Sequence, residues 1–594
     1  MTREISRQAF IRGALATVAA GASGSCRKTA PEPQTQSSTS RPPGQPDWNT
    51  LGRTLEGRVT LPSSADYAAA KNLFNSRFDN STPAAVVSVK SGSDVQKAVE
   101  FAAKNGIKVA VRSGGHSYIG ASAADSTMVV DLRQLPGGIA YDDGPGLTTI
   151  PAAAQLDSVQ AALASHGRSI PSGSCPTVGV AGLTLGGGLG SDARRSGLAC
   201  DALVSTSVVL PSGDVITASA DDHADLFWAL RGGGGGNFGV VTSFTFRTLP
   251  VIDRDVVNLV FPEGTTEQAI VGWAEWLHAA DRAIWGMVNI TAGSGSGGCT
   301  IVLATPAGDG PGSAGDLSGA IGVQPVSSTS RTLERMDFVH YFEGGAQATQ
   351  PRAFVAGSDI IEEMTQAAAE SIVAAVSAWP RDAGSSSAVI ESLSGAVSDL
   401  GPSDTAFPWR RQAACVQWYT ETPTFQTANE WLASAHAAVH PHSIGGYVNY
   451  VEPDTPTSWY FGDNLARLDA TQHFGRDRDA GDDDVRSLGV EAGNGAALVG
   501  THIREHVENM LEIGVRDPRV VHRPRGLNSL TRKVNAREVG ERSTRPDDLR
   551  ASPVAERNVV ADSFGYGAPK LANAFWRHAL GEKLLGQSNR AERQ

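Results

Sequence analysis

Cysteine is scarce in this chain of 594 residues: Cys26, Cys175, Cys200, Cys299 and Cys415 are all there are. Five scattered thiols cannot make a disulfide framework. Cys200 stands near enough to Cys175 to be weighed as its disulfide partner. Cys200, Cys299 and Cys415 otherwise read as buried free thiols. No Cys-x-x-Cys or His-rich spacing suggests zinc, and no metal site is expected. There is no Gly-Lys-Ser/Thr, which excludes a nucleotide-triphosphatase phosphate loop. Basic residues are outnumbered; the formal charge of −12 argues against a nucleic-acid or anionic-membrane partner. No apolar run is long enough for an integral membrane span.

What the chain does hold is glycine, 66 residues of it, which implies turns and close backbone approaches rather than a helical bundle. The length exceeds one ordinary core, so more than one domain is expected. Residues 1–26 read as an export signal: Arg3, Arg7 and Arg12 precede a short apolar run from Ala14 to Ala22. Ser6 to Arg12 resembles the twin-arginine pattern, with Gln8 where a second arginine is expected. The location implied is secreted, periplasmic or cell-envelope. Residues 27–47, rich in Pro, Ser, Thr and Gln, read as a disordered linker.

From Pro83 strands and helices alternate. Ala84–Val89 is a strand. A helix capped by Ser93 or Asp94 ends at Gly106. Val109–Val111 is a strand that delivers a glycine loop, and Met128–Leu132 is another strand. Leu156–His166 is a helix, and Leu203–Leu210 with Asp214–Ala218 is a hairpin across Pro211–Ser212–Gly213. Asn237–Thr242 is a strand after five consecutive glycines. Beyond Pro250 lie longer helices, Thr265–Ala280 and Ile360–Ala378. Strands at Cys299–Ala304, Ser387–Glu391 and Ala413–Tyr419 alternate with them. These read as one sheet covered on a face by helices. Gly445–Tyr450 is a strand expected to return to the first domain, followed by a helix, Trp459–Ala470. The divisions that result are 48–250, 251–430 and 431–470, with an atypical tail over 471–594.

Two loops carry the chemistry. One is Arg112–Ser113–Gly114–Gly115–His116–Ser117. The other is Gly173–Ser174–Cys175–Pro176–Thr177–Val178–Gly179, running into Gly182–Leu183–Thr184–Leu185–Gly186–Gly187–Gly188–Leu189–Gly190. Each sets one nucleophile in a cradle of small residues able to approach an anion. Gly234, Gly236 and Gly239 fit G-x-G-x-x-G. That match is cheap in a five-glycine run, and the segment feeds a strand rather than opening a helix, so a Rossmann fold is a weak alternative. A flavin dinucleotide suits the pair: a pyrophosphate for the cradles and electrophilic ring-edge carbons for the imidazole and thiol.

These two loops, with Asn237–Phe238–Gly239–Val240–Val241–Thr242 and Tyr447–Val448–Asn449–Tyr450, resemble the berberine-bridge-enzyme-like flavin oxidases. That resemblance covers most of residues 50–470. It implies an α+β fold: a two-subdomain FAD-binding domain of the vanillyl-alcohol-oxidase type, and a substrate domain with an antiparallel sheet covered by helices. It implies FAD bound covalently through both His116 and Cys175. Arg112, Ser113, Gly114, Gly115 and Ser117 would form the pyrophosphate loop. Val178, Gly182, Leu183, Gly186, Gly187, Gly188, Leu189 and Gly190 would run along the cofactor. Gly239 and Val241 would lie near its adenine end, and Asn449 is counted with the cofactor-binding residues.

Alcohol oxidation needs a base for the hydroxyl proton. By the same resemblance Tyr450 is the leading candidate and Tyr447 the reserve. In a strand Tyr447 and Asn449 would share one face and Tyr450 the other. Glu391 and Gln417, polar residues on strands of the second domain, are candidates to orient the base or the substrate, the alternative for each being a solvated strand face. The activity implied is an oxidase taking hydride from an alcohol, a sugar or secondary metabolite, with oxygen as acceptor and hydrogen peroxide as product. The alternatives are a dehydrogenase with another acceptor and a flavin-binding protein without turnover. After Ala470 the resemblance stops. Residues 473–594 are rich in Arg, Asp and Gly, and three readings stand: a disordered tail, a change of reading frame, or a small extra domain.

Overall fold

The computed structural model describes residues 46–471, except 294–297, 343–348 and Pro423. The expected export signal, nearly all of the expected linker and the tail beyond Thr471 lie outside the described residues. The chain divides into Met1–Asp47 and Trp48–Gln594, and every strand and helix of the described residues belongs to the second unit.

Short β-branched runs, largely buried on both faces, form the first sheet of the second unit. Ala85–Ser88, Met128–Asp131 and Val109–Arg112 are parallel neighbours in that order, and Arg58–Thr60 adds an antiparallel edge beside Ala85–Ser88. Such continuous apolar strands belong to sheets covered by helices. The cover is Gly92–Asn105, whose Val95, Ala98, Val99 and Ala102 are buried. Its N-cap is Ser91, which accepts from Asp94 N–H, rather than Ser93 or Asp94. The Asp94 carboxylate instead accepts from the backbone of Glu56, Gly57 and Lys90.

A second sheet is antiparallel, in the order Ala140–Asp142, Leu147–Pro151, Val240–Arg247, Leu203–Val209 and Val215–Ser219. Its hairpin runs across Pro211–Gly213 as the turn residues require. The strand expected at Asn237 starts at Val240, because the preceding glycines fold against Leu185, whose carbonyl accepts from Gly232 and Gly234. Both sheets share one core, in which Phe227, Trp228, Phe244 and Phe246 are buried.

A third sheet has seven strands, all antiparallel. From edge to edge they are Ser327–Leu333, Arg254–Phe261, Gly298–Pro306, Trp285–Ala292, Ser385–Ser392, Ala414–Glu421 and Val355–Ile361. Helices Thr266–Ala279, Gly310–Ile321, Gln366–Ser377 and Phe425–Val439 pack into one core with it. Ala388, Ile390, Val416 and Trp418 face that core; Glu391, Cys415 and Gln417, at alternate positions, face away from it. The architecture is α+β, as expected.

Three expected elements differ. Ile360 and Ile361 end a strand, and the helix expected from Ile360 begins at Gln366, capped by Thr365. Trp459–Ala470 is broken at Gly462 (φ +47°) into Ser458–Phe461, a 3-10 turn and Leu465–Thr471. Tyr447–Tyr450 is not a strand: Val448–Tyr450 is a 3-10 turn closed by Tyr450 N–H on the Tyr447 carbonyl at 2.8 Å.

One buried charge network joins the third sheet to the first two. Asp192 pairs with Arg254 and Arg335, each at 2.9 Å. Arg335 also donates to Gln160 at 2.8 Å, and Gln160 donates to Ser172 at 2.8 Å, next to the Cys175 loop. Among the described residues no helix is long and apolar enough to cross a membrane, and no cluster of ligating side chains would hold a metal ion.

Candidate active site

Strand Val109–Arg112 ends at the His116 loop. The Arg112 guanidinium turns inward and is buried, donating to Asp131 at 2.8 Å and to the Ala70 carbonyl. It therefore does not reach into a phosphate cradle, and what this stretch offers an anion is backbone. Ser113 spends its hydroxyl on the Ala152 carbonyl at 2.6 Å, and Ser117 accepts from Ala121 N–H at 3.1 Å. Gly115 takes φ +76°, a conformation open to glycine at little cost.

The two loops touch backbone to backbone. A Cβ on Gly114 would stand 2.2 Å from Gly179 N, and one on Gly179 would stand 2.1 Å from Ser113 Oγ. Only hydrogen at both positions permits this approach. His116 Nε2 shares a 2.9 Å hydrogen bond with Thr177 Oγ1, two residues beyond Cys175. The imidazole stacks on Phe74, centroids 4.0 Å apart and planes at 19°. Burial pushes its pKa down to about 4, so the ring is neutral near pH 7 and Nδ1 is a usable nucleophile. Cys175 is half-buried and unoxidised, within electrostatic reach of Tyr118 and Arg352; Arg352 lies over the Phe74 ring at 5.9 Å. The imidazole and the Arg352 guanidinium near the thiol thus lie against the same Phe74 ring. Cys200, Cys299 and Cys415 are buried free thiols and Cys200 has no disulfide to Cys175.

After Val178, whose carbonyl accepts from Leu156 N–H at 3.0 Å, the chain winds a short helix, Val180–Leu185. Gly182 is exposed on it, and a Cβ there would meet nothing within 4 Å. Gly235 of the glycine run packs 3.7 Å from Gly182 Cα, measured from its own virtual Cβ. Gly186 abuts Asn449, whose Oδ1 would lie 2.0 Å from an added Cβ; Gly190 abuts the Ser172 carbonyl at the same distance. Gly187 and Gly188 take φ +123° and +90°. Farther off, a Cβ on Gly239 (φ +136°) would stand 2.7 Å from the Val209 carbonyl oxygen, and Val241 is buried in the following strand.

The return turn locks onto this glycine segment. Tyr447 is buried, and its hydroxyl oxygen accepts from Gly188 N–H at 2.8 Å, Leu189 N–H at 3.1 Å and Asn449 Nδ2 at 2.8 Å. Asn449 also donates to the Leu183 carbonyl at 3.0 Å. Tyr447 and Asn449 are therefore neighbours as expected, through a turn rather than through strand alternation. Three donors on one oxygen make Tyr447 a clasp between the turn and the glycine segment.

Tyr450 is half-buried. Its ring stacks on Tyr118 at 5.2 Å and 11° and meets Tyr447 edge-on at 4.9 Å. Gln417 donates to the Tyr118 hydroxyl at 2.5 Å. Glu391, also near, is held up at about 7 by burial. Burial first, then Glu391, push the Tyr450 phenol well above its usual range. The expected catalytic group Tyr450, Glu391 and Gln417 is thus brought together, 26 or more residues apart in sequence. Sequence reasoning missed Tyr118 and Phe74; the one signal for Tyr118 was its place directly after His116–Ser117.

The residues fit a flat dinucleotide. The glycine cradles would be filled by any side chain, Gly182 presents a bare surface, and the donors are imidazole, thiol and backbone N–H. Comparison with known proteins agrees. Residues 83–219 match the FAD binding domain family. An uncharacterised FAD-linked oxidoreductase of Bacillus subtilis is 28% identical over 432 residues, covering 70% of this chain and 93% of that protein. A carbohydrate oxidase of Microdochium nivale is 28% identical over 442 residues, covering 69% and 88%. A chitooligosaccharide oxidase of Gibberella zeae is 28% identical over 428 residues, covering 66% and 84%. Among solved structures, Physcomitrella patens BBE-like 1 superposes with a TM-score of 0.65 at 23% identity, covering 72% of this chain and 96% of that one. The FAD-binding segment and the relatives converge on an FAD-linked oxidoreductase, and the fold is the one seen in Physcomitrella patens BBE-like 1.

Proposed function

We propose that this protein is an FAD-dependent oxidase that converts a carbohydrate alcohol to the carbonyl and produces hydrogen peroxide from oxygen. The observation that carries the reading is the meeting of the His116 and Cys175 loops beside the Tyr118–Tyr450–Glu391 cluster. His116 Nδ1 and Cys175 Sγ would hold the flavin, one bond each. FAD, when bound, supplies the two-electron acceptor for the substrate hydride and the donor for oxygen.

The chain's own residues supply the proton chemistry. Tyr450 receives the substrate hydroxyl proton, and its ring is held by the stack on Tyr118, itself fixed by Gln417. With a pKa of about 7, Glu391 is ionised in roughly half the molecules at neutral pH and accepts the proton that Tyr450 must shed. The polar face of the third sheet, Gln417 and Glu391 included, is where a hydroxylated substrate would lie. Export through residues 1–26 is part of the proposal and is checked by cell fractionation.

The deciding experiment adds a panel of mono- and oligosaccharides anaerobically, follows bleaching of the flavin band, then admits air and measures peroxide. Bleaching followed by recovery with stoichiometric peroxide is expected. Bleaching without recovery in air would show a dehydrogenase instead, and no bleaching by any carbohydrate would overturn the substrate class.

A further inference from the structure

Behind the return turn sits a charged cluster that the redox chemistry does not use. His436, on helix Phe425–Val439, contacts Asp359 through Nδ1 at 2.6 Å and Glu452 through Nε2 at 2.7 Å. Both carboxylates are buried. Asp359 also accepts from Trp418 Nε1 and Ser443 Oγ, each at 2.7 Å. Glu452 accepts from Ser358 N–H at 3.0 Å, and Ser358 Oγ accepts from Tyr447 N–H at 2.9 Å. A relay therefore runs from the imidazole through Glu452 and Ser358 to the backbone of the turn that carries Tyr447, Asn449 and Tyr450. Gly357 makes room for it: a Cβ there would stand 2.2 Å from Glu452 Cδ.

We propose that His436, carrying a proton on each ring nitrogen between Asp359 and Glu452, is the positioning residue of the Tyr447–Tyr450 turn. Two acceptors facing the two ring nitrogens leave the imidazolium as the only form that donates to both. Its pKa is raised to about 10, the two carboxylates outweighing burial. The other titratable groups close to the cluster are the Cys415 thiol, pushed up by burial, Glu391 and Asp359, and the Tyr460 phenol, pushed up by burial, Glu452 and Asp359, hence both neutral. His436 then supplies a positive charge that lets Glu452 stay buried against strand Val355–Ile361. Without it two carboxylates face each other at depth, and repulsion drives Glu452 and the turn behind it outward. The importance of this for turnover rests on Tyr450 as the base.

The test is hydrogen exchange by mass spectrometry on the purified flavoprotein between pH 7 and 10.5, corrected for intrinsic rates. In the natural protein, peptides over 445–452 should stay protected until the pH approaches about 10, then lose protection. In His436→Gln their protection should drop by on the order of tenfold at every pH, without that step, while helix Gly92–Asn105 is unchanged. Substrate-driven flavin reduction should fall with it, in kcat more than in KM. Should His436→Gln fold poorly, His436→Gln with Asp359→Asn removes the excess carboxylate and is read in the same way. Protection over 445–452 equal to the natural protein's, or a loss shared equally by Gly92–Asn105, overturns the proposal. Turnover unaffected by Tyr450→Phe would remove Tyr450 alone and leave the exchange result standing.

Discussion

Glu391 is 9% exposed and its carboxyl is raised from 4.5 to about 7, so replacing it with glutamine should stabilise the protein while impairing it. The folded state binds this proton more tightly than the unfolded chain does. Its contribution to stability is therefore full below pH 4.5, is lost as the pH climbs to 7, and is constant above. Raising the carboxyl from 4.5 to about 7 amounts to roughly 3–4 kcal/mol. Glu391→Gln keeps the shape and never ionises. Urea unfolding of the two proteins from pH 4 to 9 should give equal midpoints at pH 4, and a gap in the variant's favour that opens through pH 7 and then holds. A gap that does not change with pH would refute the reasoning, since burial of the charged form would then cost nothing. Flavin reduction should rise through pH 7 in the natural protein and be slow and flat in the variant, a trade of stability against activity.

Tyr450→Phe should lower substrate-driven flavin reduction by about 10²- to 10⁴-fold, as loss of a general base does; stopped-flow bleaching measures it. Acid-precipitated His116→Ala or Cys175→Ala should keep its yellow colour through the remaining bond, and the double variant should leave the flavin in the supernatant. A pale precipitate from either single variant would mean that only one bond exists. Tyr447→Phe strands the N–H groups of Gly188 and Leu189, at a cost of about 1–3 kcal/mol each where no water replaces the phenol. A lower melting temperature with unchanged covalent flavin content is the expected result.

How much of the fold and the site is legible in the sequence depends on whether the signal is local. The two nucleophile loops, strand Ala85–Ser88 with the helix ending at Gly106, and the hairpin at Pro211–Gly213 carry their own turn residues, and sequence places them, though it puts the helix N-cap two or three residues late. Local patterns mislead where a distant partner decides. Tyr447–Val448–Asn449–Tyr450 alternates like a strand, yet its backbone is claimed by Ser358 and its phenol by Gly188 and Leu189, some 90 and 260 residues away. Ile360 and Ile361 look like the start of a helix because Thr365, the real cap, follows a run of apolar and acidic residues. Gln417 and Tyr118 lie 299 residues apart, and no spacing rule could have joined them.

Asp192 bears on how modular the protein is. Its carboxylate is 2% exposed, and Arg254 and Arg335, both supplied from beyond Pro250, hold it well below the usual carboxylate range. A partner removed from such a trio leaves an uncompensated charge at depth. The half beyond Pro250 is therefore no interchangeable cartridge. Chimeras that graft it from a cousin will succeed only if the donor brings both guanidinium groups, and breeding new specificities is better done by point changes within the existing shell.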